Sequence, residues 1–93
     1  MDDFELIEKE DVSHLIFPED EVLPKPKMIA ERNLELNRAI ALGNLEHQKV
    51  KIYFLDSKGK KYVNTTIWAV TEESVVLKQN AVVPIHRIVK LEI

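Results

Sequence analysis

The sequence has 93 residues, no cysteine and a formal net charge of −3. A chain of this length forms at most one domain, and without cysteine it has neither a disulfide framework nor a thiolate metal site, so a reducing cytoplasm is the expected setting. The N-terminus is acidic and lacks the apolar segment of a signal peptide, and no apolar run approaches the length of a membrane span, which together predict a cytoplasmic protein without a membrane partner.

Charge is unevenly distributed along the chain. Residues 1–26 hold nine acidic residues against two lysines, a net charge of −7, whereas residues 27–93 hold seven acidic residues against eleven Lys and Arg, a net charge of +4. We interpret the first segment as an acidic N-terminal arm and the second as a helix plus a small β-barrel domain. Leu15, Ile16 and Phe17 are expected to hold one short element of the arm on the body, because the prolines that follow them, at positions 18, 24 and 26, forbid a long element there. A disordered arm that orders on binding is the alternative.

The spacing of apolar residues over 27–42 predicts an amphipathic helix. Pro26 suits the first helical position, and Gly43 suits the residue that ends the helix in left-handed conformation. The buried stripe is expected to consist of Ile29, Leu36 and Ile40, widened by Ala30, Leu34 and Ala41. Such a face must be covered, and the strands that follow provide the nearest apolar surface.

From Gln48 onwards the pattern predicts five short strands. Val50, Ile52 and Phe54 alternate with residues expected to face outward, as in a strand with one buried face, and Gly59 in the following turn is free to take positive φ. The further strands are expected over 61–71, 75–77, 82–85 and 88–93. Because short strands bury little unless their sheet closes on itself, the predicted fold is mainly β with one helix: an N-terminal α-helix followed by a five-stranded small barrel.

This order of elements resembles the Sm-like family, which includes the bacterial Hfq proteins, over roughly residues 27–93. Residues 50–55 match the family's first strand, residues 67–77 its second and third, and Ile85-His86-Arg87 the place of its Tyr-Lys-His-Ala signature. The resemblance implies a ring-forming RNA-binding protein with His86 at an RNA pocket beside the pore. An SH3-like barrel, which shares the short helical turn before the last strand, is equally compatible with these residues.

Four features depart from the Sm-like pattern. The glycine that usually lets the family's second strand bend is absent, with Asn64 or Thr65 in that neighbourhood. Ile85 stands where the family has the lysine before its histidine, and Ser74 stands where it has an aromatic residue that stacks on bases. Pro84 removes a backbone donor from the fourth strand, through which Sm rings pair with the next subunit, and so argues against a ring.

Basic residues around the first hairpin suggest an RNA-binding surface, because lysines attract phosphates and an exposed aromatic ring stacks on any base. The candidate residues for binding single-stranded RNA are Lys49, Lys51, Tyr53, Lys60, Lys61, His86 and Arg87. The acidic arm would then fold across this basic face and compete with the nucleic acid. The alternative is that the lysines only protect strand edges from aggregation and that His86 and Arg87 satisfy nearby carbonyl groups.

Tyr62 and Trp68 are the candidate residues for a partner interface, either as an aromatic-lined groove for a protein segment or as a contact between copies of the chain. A large aromatic residue that fills the small barrel is the alternative for Trp68.

The sequence gives no sign of catalysis or of a bound metal or cofactor. His14, His47 and His86 are far apart, and neither a nucleophile motif nor a glycine-rich phosphate loop can be assembled. Two hypotheses follow. The first is a non-enzymatic small-barrel protein that binds or associates with RNA, and the second is a protein-interaction or homo-oligomerisation module without a nucleic-acid ligand.

Overall fold

A computed structural model describes residues 3–93, and for residues 44–46 it describes the backbone alone. Helix α1 spans Pro26–Glu46. The strands in the described part of the chain are β1 (Glu5–Leu6), β2 (Val50–Leu55), β3 (Lys60–Thr65), β4 (Ile67–Val70), β5 (Ser74–Leu77), β6 (Val82–Pro84) and β7 (Ile88–Glu92). Short 3₁₀ helices lie at Lys9–His14, Lys78–Asn80 and Ile85–Arg87.

The strands form two sheets, with the orders β1-β3-β2-β7 and β4-β5-β6. β1 runs parallel to β3, and the other pairs are antiparallel. The hydrophobic core draws on both sheets, on α1 and on the N-terminal arm, and its buried members are Val12, Leu36, Ala39, Val50, Ile52, Phe54, Val63, Ile67, Val75, Leu77, Val83, Ile88 and Leu91. Helix α1 contacts β4 of one sheet and β7 of the other, so it spans both.

The predicted N-terminal helix followed by a five-stranded barrel is wrong. Over residues 3–93 the chain has seven strands in two sheets, and α1 lies in the middle of the chain, after β1 and a 3₁₀ helix. One reason is a break at Thr66, which divides the expected long second strand into β3 and β4 and sends them to different sheets. The other is β1, a strand of two residues whose sequence carries no period-two pattern long enough to detect.

Helix α1 continues beyond the predicted end. Its C-cap is His47, in left-handed conformation with φ of 55°, and the His47 N–H donates to the Gly43 carbonyl at 3.1 Å. Gly43 therefore lies inside the helix and does not end it. A Cβ atom placed on Gly43 would lie 2.8 Å from the Ile67 carbonyl oxygen, so glycine here permits the close approach of α1 to β4.

The buried face of α1 also differs from the predicted stripe. Leu36 and Ala39 are buried and Ile40 packs against the core, but Leu34 is exposed. The charged residue Arg32 is buried in its place, one turn before Leu36. Apolar spacing alone could not predict this face, because it contains a guanidinium group.

Part of the arm is integrated into the core. Val12 is fully buried, Leu15 and Phe17 pack against the core, and Ile16 between them is 70% exposed. Backbone hydrogen bonds join the arm to the body: Ile7 N–H to the Tyr62 carbonyl, Ser57 N–H to the Ile16 carbonyl and Val22 N–H to the His86 carbonyl, at 2.8 to 3.0 Å. Leu15 and Phe17 thus pack on the body as expected, whereas Ile16, which was expected to do the same, is exposed.

The outer edge of β7 is covered by side chains of α1. The Ile88 carbonyl accepts a hydrogen bond from the Arg32 guanidinium at 3.0 Å, and the Leu91 N–H donates to the Glu35 carboxylate at 3.4 Å. These side chains satisfy backbone groups that a neighbouring strand would otherwise pair.

Within the described residues, no helix has both the length and the apolar character that crossing a bilayer requires.

Candidate interaction surfaces

Tyr53 lies on the outer face of the β1-β3-β2-β7 sheet but is only 5% exposed. Its ring stacks on Tyr62 at a centroid distance of 4.9 Å and forms a T-shaped contact with the Phe4 ring at 5.2 Å. The Lys90 ammonium lies 5.0 Å from the Tyr53 ring centroid. The expectation that Tyr53 is exposed is therefore wrong, because Phe4 of the arm covers it. Burial, followed by the nearby Glu92 carboxylate, raises the pKa of the Tyr53 hydroxyl above its ordinary value.

The lysines of the first hairpin have different surroundings. Lys61 is mostly buried and its ammonium lies 2.9 Å from the Asp56 carboxylate, whose side chain is 1% exposed. Lys60 is half-exposed, lies 3.8 Å from the Asp3 carboxylate and sits 5.7 Å from the centroid of the Phe4 ring. Lys49 and Lys51 are exposed.

His86 and Arg87 hold the arm. The Arg87 Nε donates to the Leu55 carbonyl at 3.0 Å, and a terminal nitrogen of Arg87 donates to the carbonyl and carboxylate oxygens of Asp20 at 2.9 and 3.2 Å. The His86 Nε2 lies 3.0 Å from the Pro18 carbonyl oxygen. Arg87 is buried, so its guanidinium is engaged inside the fold.

The structure does not gather the seven candidate RNA-binding residues into one exposed surface. Lys49, Lys51 and Lys60 are exposed cations, whereas the other four are buried or half-buried and most of them bond to the arm or to Asp56. Their assignment to RNA binding stays a prediction.

The candidate partner residues are also separated. Tyr62 belongs to β3 and stacks on Tyr53, whereas Trp68 belongs to β4 in the other sheet. The β4–β5 register shifts between Ile67 and Ala69, so Trp68 is the extra residue of a β-bulge. This bulge explains why Ile67 and Val70 pack toward the core while Trp68 and Ala69 are both exposed.

An apolar row crosses the outside of the β4-β5-β6 sheet. Ala69 pairs with Val76, and Val76 pairs with Val82. The neighbouring residues Val75, Leu77 and Val83 are fully buried, and side chains alternate between faces, so Val76 and Val82 point outward. Trp68 is 51% exposed and Val82 is 44% exposed. We call Trp68, Ala69, Val76 and Val82 the Trp68 face.

Two carboxylates are held in their charged form. Burial of Asp56 disfavours its charge, but hydrogen bonds from Lys61 and from the backbone N–H groups of Lys58 and Gly59 outweigh burial and lower the pKa of Asp56. The hydrogen bonds from Arg32, at 2.7 and 2.8 Å, lower the pKa of Glu21 despite its partial burial. Both groups therefore stabilise the fold at neutral pH, and this contribution is lost as the pH falls through the lowered pKa values.

Sequence reasoning missed several residues that define these surfaces. Phe4 covers Tyr53, Lys90 lies over the same ring, and Arg32 anchors Glu21. An aromatic residue in an acidic segment and an arginine on an apolar helical stripe were the available signals. Among the residues that the structure describes, no three His, Asp or Glu side chains are close enough to hold a metal ion.

No family model, curated protein or solved structure matches the chain. The resemblance to Sm-like or SH3-like proteins therefore stays a prediction, and the functional proposals depend on the geometry of the chain itself.

Proposed function

We propose that this chain is a non-enzymatic interaction module of the cytoplasm that associates with a second copy of itself through the Trp68 face. The observation that carries the proposal is the half-exposed indole of Trp68, held on a bulge beside an apolar cross-strand row. Large exposed aromatic residues next to valines mark interaction surfaces more often than isolated apolar residues do. Interfaces are also enriched in Trp, which contributes much of their binding energy.

The rigid setting of the Trp68 face supports the proposal. Ala69, Val76 and Val82 are fixed by strand pairing, and the opposite side of the same strands forms the core. A surface of this kind loses little conformational entropy on association. The binding free energy gained from the contacts of Trp68 is therefore not reduced by the cost of ordering a loop.

Substitution of Trp68 by serine is expected to weaken self-association by about 2 kcal/mol, or roughly 30-fold, because a central tryptophan in an interface contributes at this level. Sedimentation velocity over a range of protein concentrations measures the association, and the fluorescence of Trp68 should shift to the blue when the indole is covered. Ile16→Ser is the matched control, since it removes another exposed apolar side chain, on the arm.

A chain that remains monomeric at about 1 mM would contradict self-association, since even a dimer with millimolar affinity is then half formed. Equal loss of association in Trp68→Ser and Ile16→Ser would contradict the assignment of the face.

Association with single-stranded RNA is the second candidate function. The observation that favours it is a group of three exposed cations, Lys49, Lys51 and Lys60. Lys60 lies over the Phe4 ring, which in turn contacts the stacked rings of Tyr53 and Tyr62. The same sedimentation experiment is repeated with a short uridine- or adenosine-rich RNA at low salt, where phosphate contacts are strongest. Binding that weakens with salt and with Lys51→Gln would support this function, and no binding at low salt would contradict it.

A further inference from the structure

The edge of β3 is covered by β1, which is a very short strand. It has two residues, pairs in parallel with Lys61 and Tyr62, and is followed by one backbone hydrogen bond from the Ile7 N–H to the Tyr62 carbonyl at 3.0 Å. Without β1, β3 would be the edge of its sheet. An uncovered edge presents unpaired N–H and C=O groups, to which an extended peptide can add as a further strand.

Residues 3–6 are attached more weakly than the rest of the arm, whereas Ile7 packs against the core. Glu5 and Leu6 are exposed, and the ion pair between Asp3 and Lys60 is solvated on both sides, so it contributes little. The core position Val12, by contrast, anchors the arm a few residues later. We therefore expect residues 3–6 to open locally while Ile7 and Val12 keep the rest of the arm in place.

The surface beneath this segment contacts it in three ways: through the main chain, through an aromatic ring and through a lysine. The β3 backbone pairs with the main chain of β1, the Tyr53 ring forms a T-shaped contact with the Phe4 ring at 5.2 Å, and Lys60 lies near both the Asp3 carboxylate and that phenyl ring. A groove of about 500 Å³ borders Phe4 and is lined further by Pro24, Met28, Leu55 and Val89, among others. This groove leaves room beside the phenyl ring.

We propose that the edge of β3, with Tyr53 and Lys60, is a strand-addition site for an extended peptide in which an acidic residue immediately precedes an aromatic one, and that residues 3–7 occupy this site in cis. The chemistry of the partner follows from the bound segment: its main chain pairs in parallel with β3, its phenyl ring contacts Tyr53, and its carboxylate faces Lys60. This site is separate from the Trp68 face, which lies on the other sheet, so the two proposals stand independently.

A peptide added in trans must compete with the tethered segment, whose effective concentration is in the millimolar range for a short connection. The apparent affinity for the added peptide is reduced by the fraction of molecules whose site is covered. Weakening the cis segment should therefore strengthen binding in trans.

The probe is a fluorescently labelled peptide with the sequence Asp-Phe-Glu-Leu-Ile-Glu, that of residues 3–8, and its binding is measured by anisotropy. The full chain is used, because Val12 of the same arm belongs to the core. Phe4→Ser removes the half-buried aromatic contact that holds the cis segment on Tyr53, and we expect it to bind the peptide about tenfold more tightly than the unsubstituted chain. Asp3→Lys changes only an exposed side chain, so folding is preserved, and should give an increase of about twofold.

Ile16→Ser is the control, with unchanged peptide affinity expected. In the Phe4→Ser variant, Lys60→Gln should weaken peptide binding by about twofold. A peptide of the same composition with Asp and Phe separated should bind at least about tenfold more weakly, because it lacks the paired contacts.

Equal affinity of the unsubstituted chain, Phe4→Ser and Asp3→Lys for the peptide would overturn the proposal. So would binding of the rearranged peptide as tightly as the ordered one. If a uridine-rich RNA binds the Phe4→Ser variant more tightly than the peptide does, the uncovered surface is a nucleic-acid site and the assignment to peptides is wrong.

Discussion

Asp56→Ala is expected to lower the free energy of unfolding by about 3 kcal/mol, the lower end of the range for removing one partner of a buried ion pair. The Asp56 carboxylate accepts hydrogen bonds from the Lys58 and Gly59 backbone N–H groups at 2.9 and 2.8 Å, and from the Lys61 ammonium at 2.9 Å. Alanine removes the acceptor of all three donors, and the Lys61 ammonium, whose side chain is mostly buried, cannot replace it fully with water without moving. Urea unfolding measures the loss.

The variants around Asp56 separate its charge pair from its role in the turn. Ser57→Ala, at an exposed position of the same turn, should change stability by less than about 0.5 kcal/mol. The double variant Asp56→Ala with Lys61→Met removes both charges and should regain part of the loss. If the double variant is as unstable as the sum of the two single variants, the ion pair is not what Asp56 contributes.

The effect of Asp56→Ala should also depend on pH. The pKa of Asp56 lies below its ordinary value in the folded chain, so its contribution is fully present above the unfolded pKa of about 4. That contribution disappears as the pH falls through the folded pKa. The stability difference between the unsubstituted chain and Asp56→Ala should therefore shrink below about pH 4, and a constant difference down to pH 2 would contradict this account.

Arg32→Met should lower the free energy of unfolding by about 2 to 3 kcal/mol, because it leaves the Ile88 carbonyl without its buried donor and removes a bidentate ion pair. Arg32 is 4% exposed and donates to both carboxylate oxygens of Glu21 and to Ile88. The released Glu21 is partly exposed and can hydrate, which limits the cost. Methionine retains much of the aliphatic volume, so a cavity is not the cause of the loss.

The same substitution should loosen the part of the arm that Glu21 anchors. Val22 N–H donates to the His86 carbonyl, and its hydrogen exchange should become faster in Arg32→Met than global unfolding alone explains. Arg38→Met on the exposed side of α1 is the matched control and should change stability by less than about 0.5 kcal/mol. Equal effects of the two methionine variants would show that the bonds of Arg32 are not responsible.

The strongly periodic segments were predictable from the sequence. Alternation identified Val50, Ile52 and Phe54 as buried residues of one strand, and Pro26 marked the beginning of α1. These signals are local, because the side-chain period follows directly from backbone geometry. Gly59 likewise lies in the turn at positive φ, as a hairpin of this kind requires.

The division of the strands between two sheets was not predictable in the same way. Residues 61–71 carry a continuous β-branched and aromatic pattern, so nothing local marks the break at Thr66 or the bulge at Trp68. The end of α1 was misplaced because Gly43 serves close packing against Ile67, a tertiary requirement, although its type also suits a helix end.

The surroundings of the candidate site residues could not be predicted from the sequence for a related reason. Lys61 and Arg87 look like surface charges, yet their partners Asp56 and Asp20 are brought to them by the turn and by the arm. Tyr53 alternates correctly with buried residues but is covered by Phe4, which lies 49 positions earlier in the chain. Long-range pairing of this kind is not encoded in any short window of residues.

The side chains of Arg32 and Glu35 bond to the outer edge of β7, so the two edges of the larger sheet are unequally protected from pairing with a further strand. On that side the Ile88 carbonyl and the Leu91 N–H are already bonded to side chains of α1, which disfavours the addition of a further strand there. At the opposite edge, only the two residues of β1 cover the backbone groups of β3. A strand added to the larger sheet is consequently expected at β3, in place of the N-terminal segment, and not at β7.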